Sequence, residues 1–311
     1  MFKGFRVLQS VPTVDYFRWH ITAFIVSGLM MLASVVSLAT QGLNYGVDFA
    51  GGILVEVRMP DQPDLGAMRT QLEALNIGDV QLQEFGTARD VLIRVERQRG
   101  GESAEMAAVA RIRESLGNGV DYRRVEVVGP QVGAELVRAG VMAVGLAILG
   151  IMAYMALRFG WRAGLSGSVA LLHDCLTTVG LFSILQLQFD LNVLAAVMTI
   201  AGFSINDTVV IADRVRENER KYKQMDFRAL INLSVNETLS RTFMTNGLVL
   251  AAVLAILFLG GPVLSDLAIA LVWGALIGTY STVYVAAPLE WYLGRRGGVR
   301  PDSATPAAPT A

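Results

Sequence analysis

The chain has 311 residues, of which 53% are hydrophobic and 17% charged, and its mean hydropathy is +0.48, too apolar for a soluble protein of this length. A formal net charge of -1 leaves no global basic field for nucleic acid. The single cysteine, Cys175, excludes an intramolecular disulfide framework and a CxxC metal site, and two histidines, His20 and His173, argue against a zinc cluster.

Helical spanning of a bilayer takes about 20 mostly apolar residues. In chain order, residues 19–40 form the first such stretch; its apolar run is too long for a signal-peptide core of about 7–15 residues, so it reads as a retained anchor. Residues 41–131 read as a folded domain outside the membrane. There "ILVEVRM" (53–59) alternates as a strand does, 63–76 carries Leu65, Met68, Leu72 and Leu75 at helical spacing, and 79–85 alternates again. "TARD" (87–90) reads as a turn, followed by a strand at 91–96, a helix at 102–117 closed by Gly117, and a strand at 121–129. The order β-α-β-β-α-β predicts an α+β ferredoxin-like domain, a fold that identifies no function. Asp48, Glu56, Glu84 and Glu96 lie in different elements and form no catalytic constellation. "YGVDFAGG" (45–52) has neither phosphate-loop spacing and reads as a tight turn leaving the first span.

Five more apolar stretches follow at 133–157, 163–185, 190–212, 242–260 and 264–292, the last long enough to tilt. The fold class is therefore an α-helical polytopic membrane protein with six transmembrane helices. Lys3, Arg6, Arg18, Arg158, Arg162 and the basic run between the fourth and fifth spans lie on one side, whereas the short loops near 186–190 and 260–266 have no Lys or Arg. The positive-inside rule then makes both termini (1–18 and 294–311) cytoplasmic and places 41–131 outside. Between those spans, within 213–240, Phe227, Ile231, Val235 and Leu239 recur every four residues, which predicts an amphipathic helix on the cytoplasmic interface or a partner-binding helix. The Pro-, Ala-, Ser- and Thr-rich tail at 294–311 reads as disordered.

Three charged residues stand out by their depth in or beside the spans. Asp174 lies twelve residues after Arg162, about 18 Å along a helix and so near mid-membrane. Asp207 lies seventeen residues after Asp190, and Arg241 nineteen before Gly260, about 25 and 28 Å from the outer end, hence at similar depth. A charge there costs about 2.5–3.5 kcal/mol on insertion scales and faces the bundle or a wet cavity. Asp207 is thus either a protonatable site in an ion pathway or half of a fixed ion pair with Arg241. For Arg241 alone, snorkelling to the interface is the plainer account. His173, adjacent in sequence to Asp174, points about 100° away on the helix and need not share its site.

Five stretches together resemble the SecD/SecF family of protein-export membrane proteins, on its SecF side: "GLNYGVDFAGG" (42–52), "VEVVGPQVGAEL" (125–136), "HDCLTTVG" (173–180), "SINDTVVIADRVREN" (204–218) and "NETLSRTFMTN" (236–246). The resemblance covers about Asn44 to Trp291; Gly202-Phe203-Ser204 stands where the family usually has Gly-Tyr-Ser or a similar triplet, with Asp207 still in register. The resemblance implies an accessory subunit of the Sec translocase in the bacterial inner membrane. It implies a SecD-like partner, the Sec channel complex and a translocating unfolded polypeptide as further contacts, besides membrane lipid. It also implies Asp207 and Arg241 in a proton pathway, to which depth adds Asp174, and use of the proton-motive force with no cofactor beyond the proton as coupling ion. A small-molecule or lipid exporter of the related proton-driven efflux superfamily is the alternative, and a scaffold without ion transport a third. No nucleotide, metal or nucleophile motif suggests an enzyme.

Overall fold

The computed structural model describes residues 13–295, apart from 86, 118, 129 and 262–263. The expected disorder of the tail falls, except at its first residues, outside the described residues, as do Lys3 and Arg6. Six described helices are long and apolar enough to cross a membrane: α1 (His20–Thr40), α5 (Pro130–Phe159), α6 (Trp161–Leu185), α7 (Leu191–Lys221), α8 (Phe227–Leu259) and the run formed by α9 (Ser265–Ser281) and α10 (Ala287–Arg295). A π-helical turn, Thr282–Ala286, joins the last two.

Between α1 and α5 lie β1 (Asn44–Tyr45), α2 (Val47–Ala50), β2 (Gly52–Arg58), α3 (Leu65–Glu73), β3 (Val80–Phe85), β4 (Thr87–Val95), α4 (Glu102–Leu116) and β5 (Asp121–Val128). The strand order is β3-β4-β2-β5, antiparallel throughout, which is the ferredoxin-like split βαβ arrangement. The period-2 pattern sends Ile53, Val55 and Val57 of β2 and Val91, Ile93 and Val95 of β4 to one face, where Met68 and Leu72 of α3 and Ala108, Val109 and Ile112 of α4 bury them. α3 starts two residues beyond Pro63, capped by Asp64, whose carboxylate accepts from the Gly66 and Ala67 amides. Residues 87–90, expected as a turn, are the first part of β4: Phe85 pairs with Thr87, so the hairpin turns within three residues. Asp90 is buried because Arg58 chelates it with bonds of 2.6 and 2.8 Å and Thr87 adds one of 2.7 Å.

The glycine cluster does more than turn. β1 pairs in parallel with β6 (Gln188–Phe189), the loop strand between α6 and α7. The Phe49 ring then stacks on Phe189 at 5.9 Å. Asp48 accepts from the Leu191 amide at 3.1 Å and Asp190 from the Val193 amide at 2.9 Å, so two carboxylates sit on the positive end of α7. Across the same joint the charge of Arg94 on β4 acts on Asp190, Asp266 and Asp48; burial pulls its guanidinium below the usual value and those carboxylates oppose that. The sheet domain is therefore fastened to the start of α7.

The opposite end of the bundle differs from the expectation of a helix lying on the membrane surface. Helix α7 runs on to Lys221 and α8 begins at Phe227, so only residues 222–226 separate them. The apolar stripe is real, but Leu230, Ile231 and Val235 bury it against Tyr16, Phe17, Ile211, Val215, Val283 and Ala287. On the neighbouring face Asn232 and Asn236 hold the backbone of Val14 and Tyr16 through four hydrogen bonds of 2.9 to 3.1 Å. The stripe extends the fifth span and closes the end of the core.

Candidate functional site

Helices α7 and α9 approach closely because α9 is small where they cross. A Cβ on Gly274 would lie 2.1 Å from Ile200, and one on Gly278 3.4 Å from Ser204. This approach brings the hydroxyls of α9 to the polar face of α7, on which Ser204, Asp207 and Thr208 are buried at helical spacing.

Asp207 is 3% exposed. Its Oδ2 accepts a 2.7 Å hydrogen bond from Asn246 Nδ2 of α8, and the same nitrogen donates at 2.6 Å to Thr279 Oγ1 of α9. Thr279 in turn donates to the Ala275 carbonyl at 2.8 Å. A cavity of about 10 Å³ beside this cluster, bounded by Phe203, Gly274 and Val249 among others, approaches the size that holds one water. The ion pair expected between Asp207 and Arg241 is not formed. Arg241 is exposed, and among the described residues it makes no ion pair within 4.0 Å, although its charge is felt at Asp207. The depth argument placed the two at one level but carried no helical phase: Asp207 meets Asn246, and Arg241 lies five residues earlier, about 7.5 Å along α8 and about 140° around it.

Asp174 is fully buried and makes a second cluster. Ser204 Oγ of α7 and Ser281 Oγ of α9 donate to Oδ2 at 2.6 and 2.7 Å, and Oδ1 lies 2.9 Å from His173 Nδ1. His173 thus shares the site after all: the two Cβ directions diverge, but the imidazole reaches back to its neighbour. The His173 ring packs 6.2 Å from that of Tyr280. The clusters are joined by α7, where Ser204 serves one and Asp207, a turn later, the other. They are joined again by α9 through Ser281 and Thr279, and by the 3.3 Å contact between Thr208 and Thr282. The π-helical turn begins at Thr282, and turns of this kind recur at functional sites.

Of the three residues singled out by sequence, the structure brings Asp207 and Asp174 into one connected polar core and leaves Arg241 at its outside. Asn246, Thr279 and Ser281 were missed. Their signal was an amide and hydroxyls within apolar spans, which single out no partner until helix phases are known.

Residues 108–296 match the family described as "Protein export membrane protein SecD/SecF, C-terminal", and residues 36–59 match the "SecD/SecF GG Motif". The chain belongs to the SecD/SecF family. It is 40% identical over 292 residues to the protein translocase subunit SecF of Vibrio alginolyticus, with 93% of each chain covered. It is 42% identical over 291 residues to that of Rickettsia prowazekii, covering 91% of this chain and 92% of the relative. Crystal structures of SecDF are similar throughout: the Thermus thermophilus protein, a translocon-associated membrane protein, superposes with a TM-score of 0.78 at 31% identity over 94% of this chain. The present chain spans only 40% of that SecDF chain. A second structure, of SecDF in a super-membrane-facing form, gives 0.70 at 32% identity, covering 92% of this chain and 39% of its own. The family's GG motif has a physical reading here. Gly52 has φ of +137° and a Cβ on it would lie 2.6 Å from the Val95 carbonyl oxygen, so the start of β2 admits only glycine. The protein is thus a multi-pass membrane protein of the SecD/SecF family.

Proposed function

We propose that this chain is an accessory subunit of the Sec translocase of a bacterial inner membrane and that, with a SecD-like partner, it uses the proton-motive force to promote outward movement of exported polypeptides. Both termini are cytoplasmic in this reading and the sheet domain is periplasmic, from the distribution of Lys and Arg. The observation that carries it is Asp207, a carboxylate enclosed between three membrane helices with one side-chain donor among the described residues and a small cavity at its side. Such a group is retained in a membrane where it binds and releases an ion.

The hydrogen bonds give protonation a consequence. A carboxylate only accepts, so Asn246 presents its NH2 to Asp207 and to Thr279, and the Thr279 hydroxyl turns to Ala275. A protonated Asp207 also donates, and when its proton faces Asn246 the amide turns its carbonyl oxygen to it. That oxygen also accepts from Thr279, whose hydroxyl leaves the Ala275 carbonyl. One proton on α7 thereby reverses a chain of donors through α8 into the backbone of α9. Arg241, exposed and without an ion pair within 4.0 Å among the described residues, is free to compensate charge near the partner. A potential of 100 mV supplies about 2.3 kcal/mol per charge crossing the whole membrane, enough to bias such a two-state chain.

The partner is supported by an exposed stripe on α7: Asn192, Ala195, Thr199, Gly202 and Asn206. Small and polar residues on an outer face of a membrane helix are the ones that admit another helix. SecDF, of which this chain spans 40%, accommodates such a partner in one polypeptide. The decisive measurement is proton-driven release of an exported protein from vesicles carrying the translocase, this chain and its SecD-like partner. Asp207→Asn should assemble normally and abolish the dependence on the proton gradient. Normal gradient-dependent release at normal abundance would remove Asp207 from the mechanism.

A further inference from the structure

A polar cleft at the other end of α7 is separate from the proton site. It has a volume of about 480 Å³ and lies between the end of α5 and the last three turns of α7, lined by Arg158, Asp213, Arg216, Glu217, Arg220 and Lys221. Four cations face two carboxylates there, and Glu217 is already engaged by Arg214 at 3.1 Å. Among the described residues none of the four lining cations forms an ion pair within 4.0 Å. Arg216 donates instead to the Arg158 carbonyl at 2.8 Å, which holds a guanidinium level with the last turn of α5. Around that turn Tyr154, Leu157 and Trp161 are 53%, 89% and 59% exposed, apolar and aromatic side chains of the kind that mark a membrane interface.

We propose that this cleft binds the phosphate headgroup of an anionic phospholipid of the cytoplasmic leaflet. The assignment rests on the orientation argued above. A phosphodiester matches the chemistry: it accepts charge-assisted hydrogen bonds from guanidinium groups, and basic clefts between membrane helices on this side select such headgroups. The acyl chains would descend along the exposed side of α5, past Leu157 and Tyr154. An acidic protein segment would satisfy the charges equally but would leave that apolar border unused.

The complex with its SecD-like partner, reconstituted in vesicles of phosphatidylcholine with phosphatidylglycerol and released into mild detergent, is examined by native mass spectrometry. Retained phosphatidylglycerol should exceed phosphatidylcholine by roughly tenfold. The double variant Arg220→Gln with Lys221→Gln, which spares the Arg216 bond to α5, should lose most of that preference. Arg220→Lys should keep most of it, and Arg97→Gln with Arg99→Gln in the sheet domain, an equal change of net charge, should leave it intact. Absence of a preference in the unaltered complex, or its persistence in the Arg220 and Lys221 double variant, overturns the proposal. So does displacement of the lipid by millimolar inorganic phosphate, which would mark a free-phosphate site, or protection of the cleft by a partner protein in place of lipid. The orientation is read separately, by labelling of Lys221→Cys from either side, so its failure is not confused with failure to bind lipid.

Discussion

Among the described residues Asp174 meets the Ser204 and Ser281 hydroxyls and the His173 ring, and Asp207 one side-chain donor. The difference separates a carboxylate that fastens helices together from one whose single partner can turn with its protonation. Replacing Asn246 by Leu keeps the branched shape and heavy-atom count and removes the amide. Asn246→Leu should therefore leave assembly near normal and lower gradient-dependent export as severely as Asp207→Asn, measured in vesicles with protein amounts matched. Arg241→Ala should behave otherwise than a broken ion pair would. Its yield and thermal stability in the isolated chain should change by under about 0.5 kcal/mol, as for an exposed side chain, while export by the complex falls; Arg241→Lys should fall in between. A large loss of folded chain on Arg241→Ala would restore the paired reading. Asp207 was legible from sequence because a carboxylate in an apolar run has few innocent explanations. Asn246 was not, because its importance lies in an angle between two helices that no residue count supplies.

At the scale of elements, spans and strands follow from periodicity, and the misplacements have physical causes. The stripe of Phe227, Ile231 and Val235 has the period of an interfacial helix, but a period does not say what covers it; a protein core and a membrane surface are equally apolar. The turn expected at 87–90 failed because Asp90, a poor strand former by itself, is chelated by Arg58. Those bonds, Arg58 first and Thr87 next, hold the Asp90 carboxyl well below the usual carboxylate range. A depressed value stabilises the fold above the ordinary carboxyl pKa of about 3.9, and the contribution is lost as pH falls through the folded value. Asp90→Asn should accordingly speed hydrogen exchange of β2 and β4 at pH 7, by an amount on the order of 2 kcal/mol, and the gap to the native chain should close in strong acid. Between α7 and α9 the limit is steric. Gly274→Ala should lower stability by about 1–3 kcal/mol, and Ile200→Ala in the same chain should recover part of it, read from thermal unfolding in detergent. Equal loss with and without the Ile200 change would show that the contact does not set the helix separation.

At the scale of the molecule, the number of spans and the place of the sheet domain between the first two were legible because apolar length and strand period act over whole segments. Cysteine at Gly100 should react with an impermeant reagent from outside, and cysteine at Lys221 should not, in a Cys175→Ala background; the reverse pattern would invert the molecule. How the domain is mounted was not legible, since two residues of β1 finding two of β6 144 positions away leave no periodic trace. That short ladder has a mechanical meaning. Helix α7 has 31 residues and is about 46 Å long. At one end it is gripped by the stem of the sheet domain, and along its length it carries Ser204 and Asp207. A hydrogen-bonded helix hardly shortens under load, so it behaves as a push-rod with the domain bolted to its tip. A displacement of the domain arrives at Asp207 with little slack, and a shift of α7 at Asp207 is delivered to the domain in the same stroke.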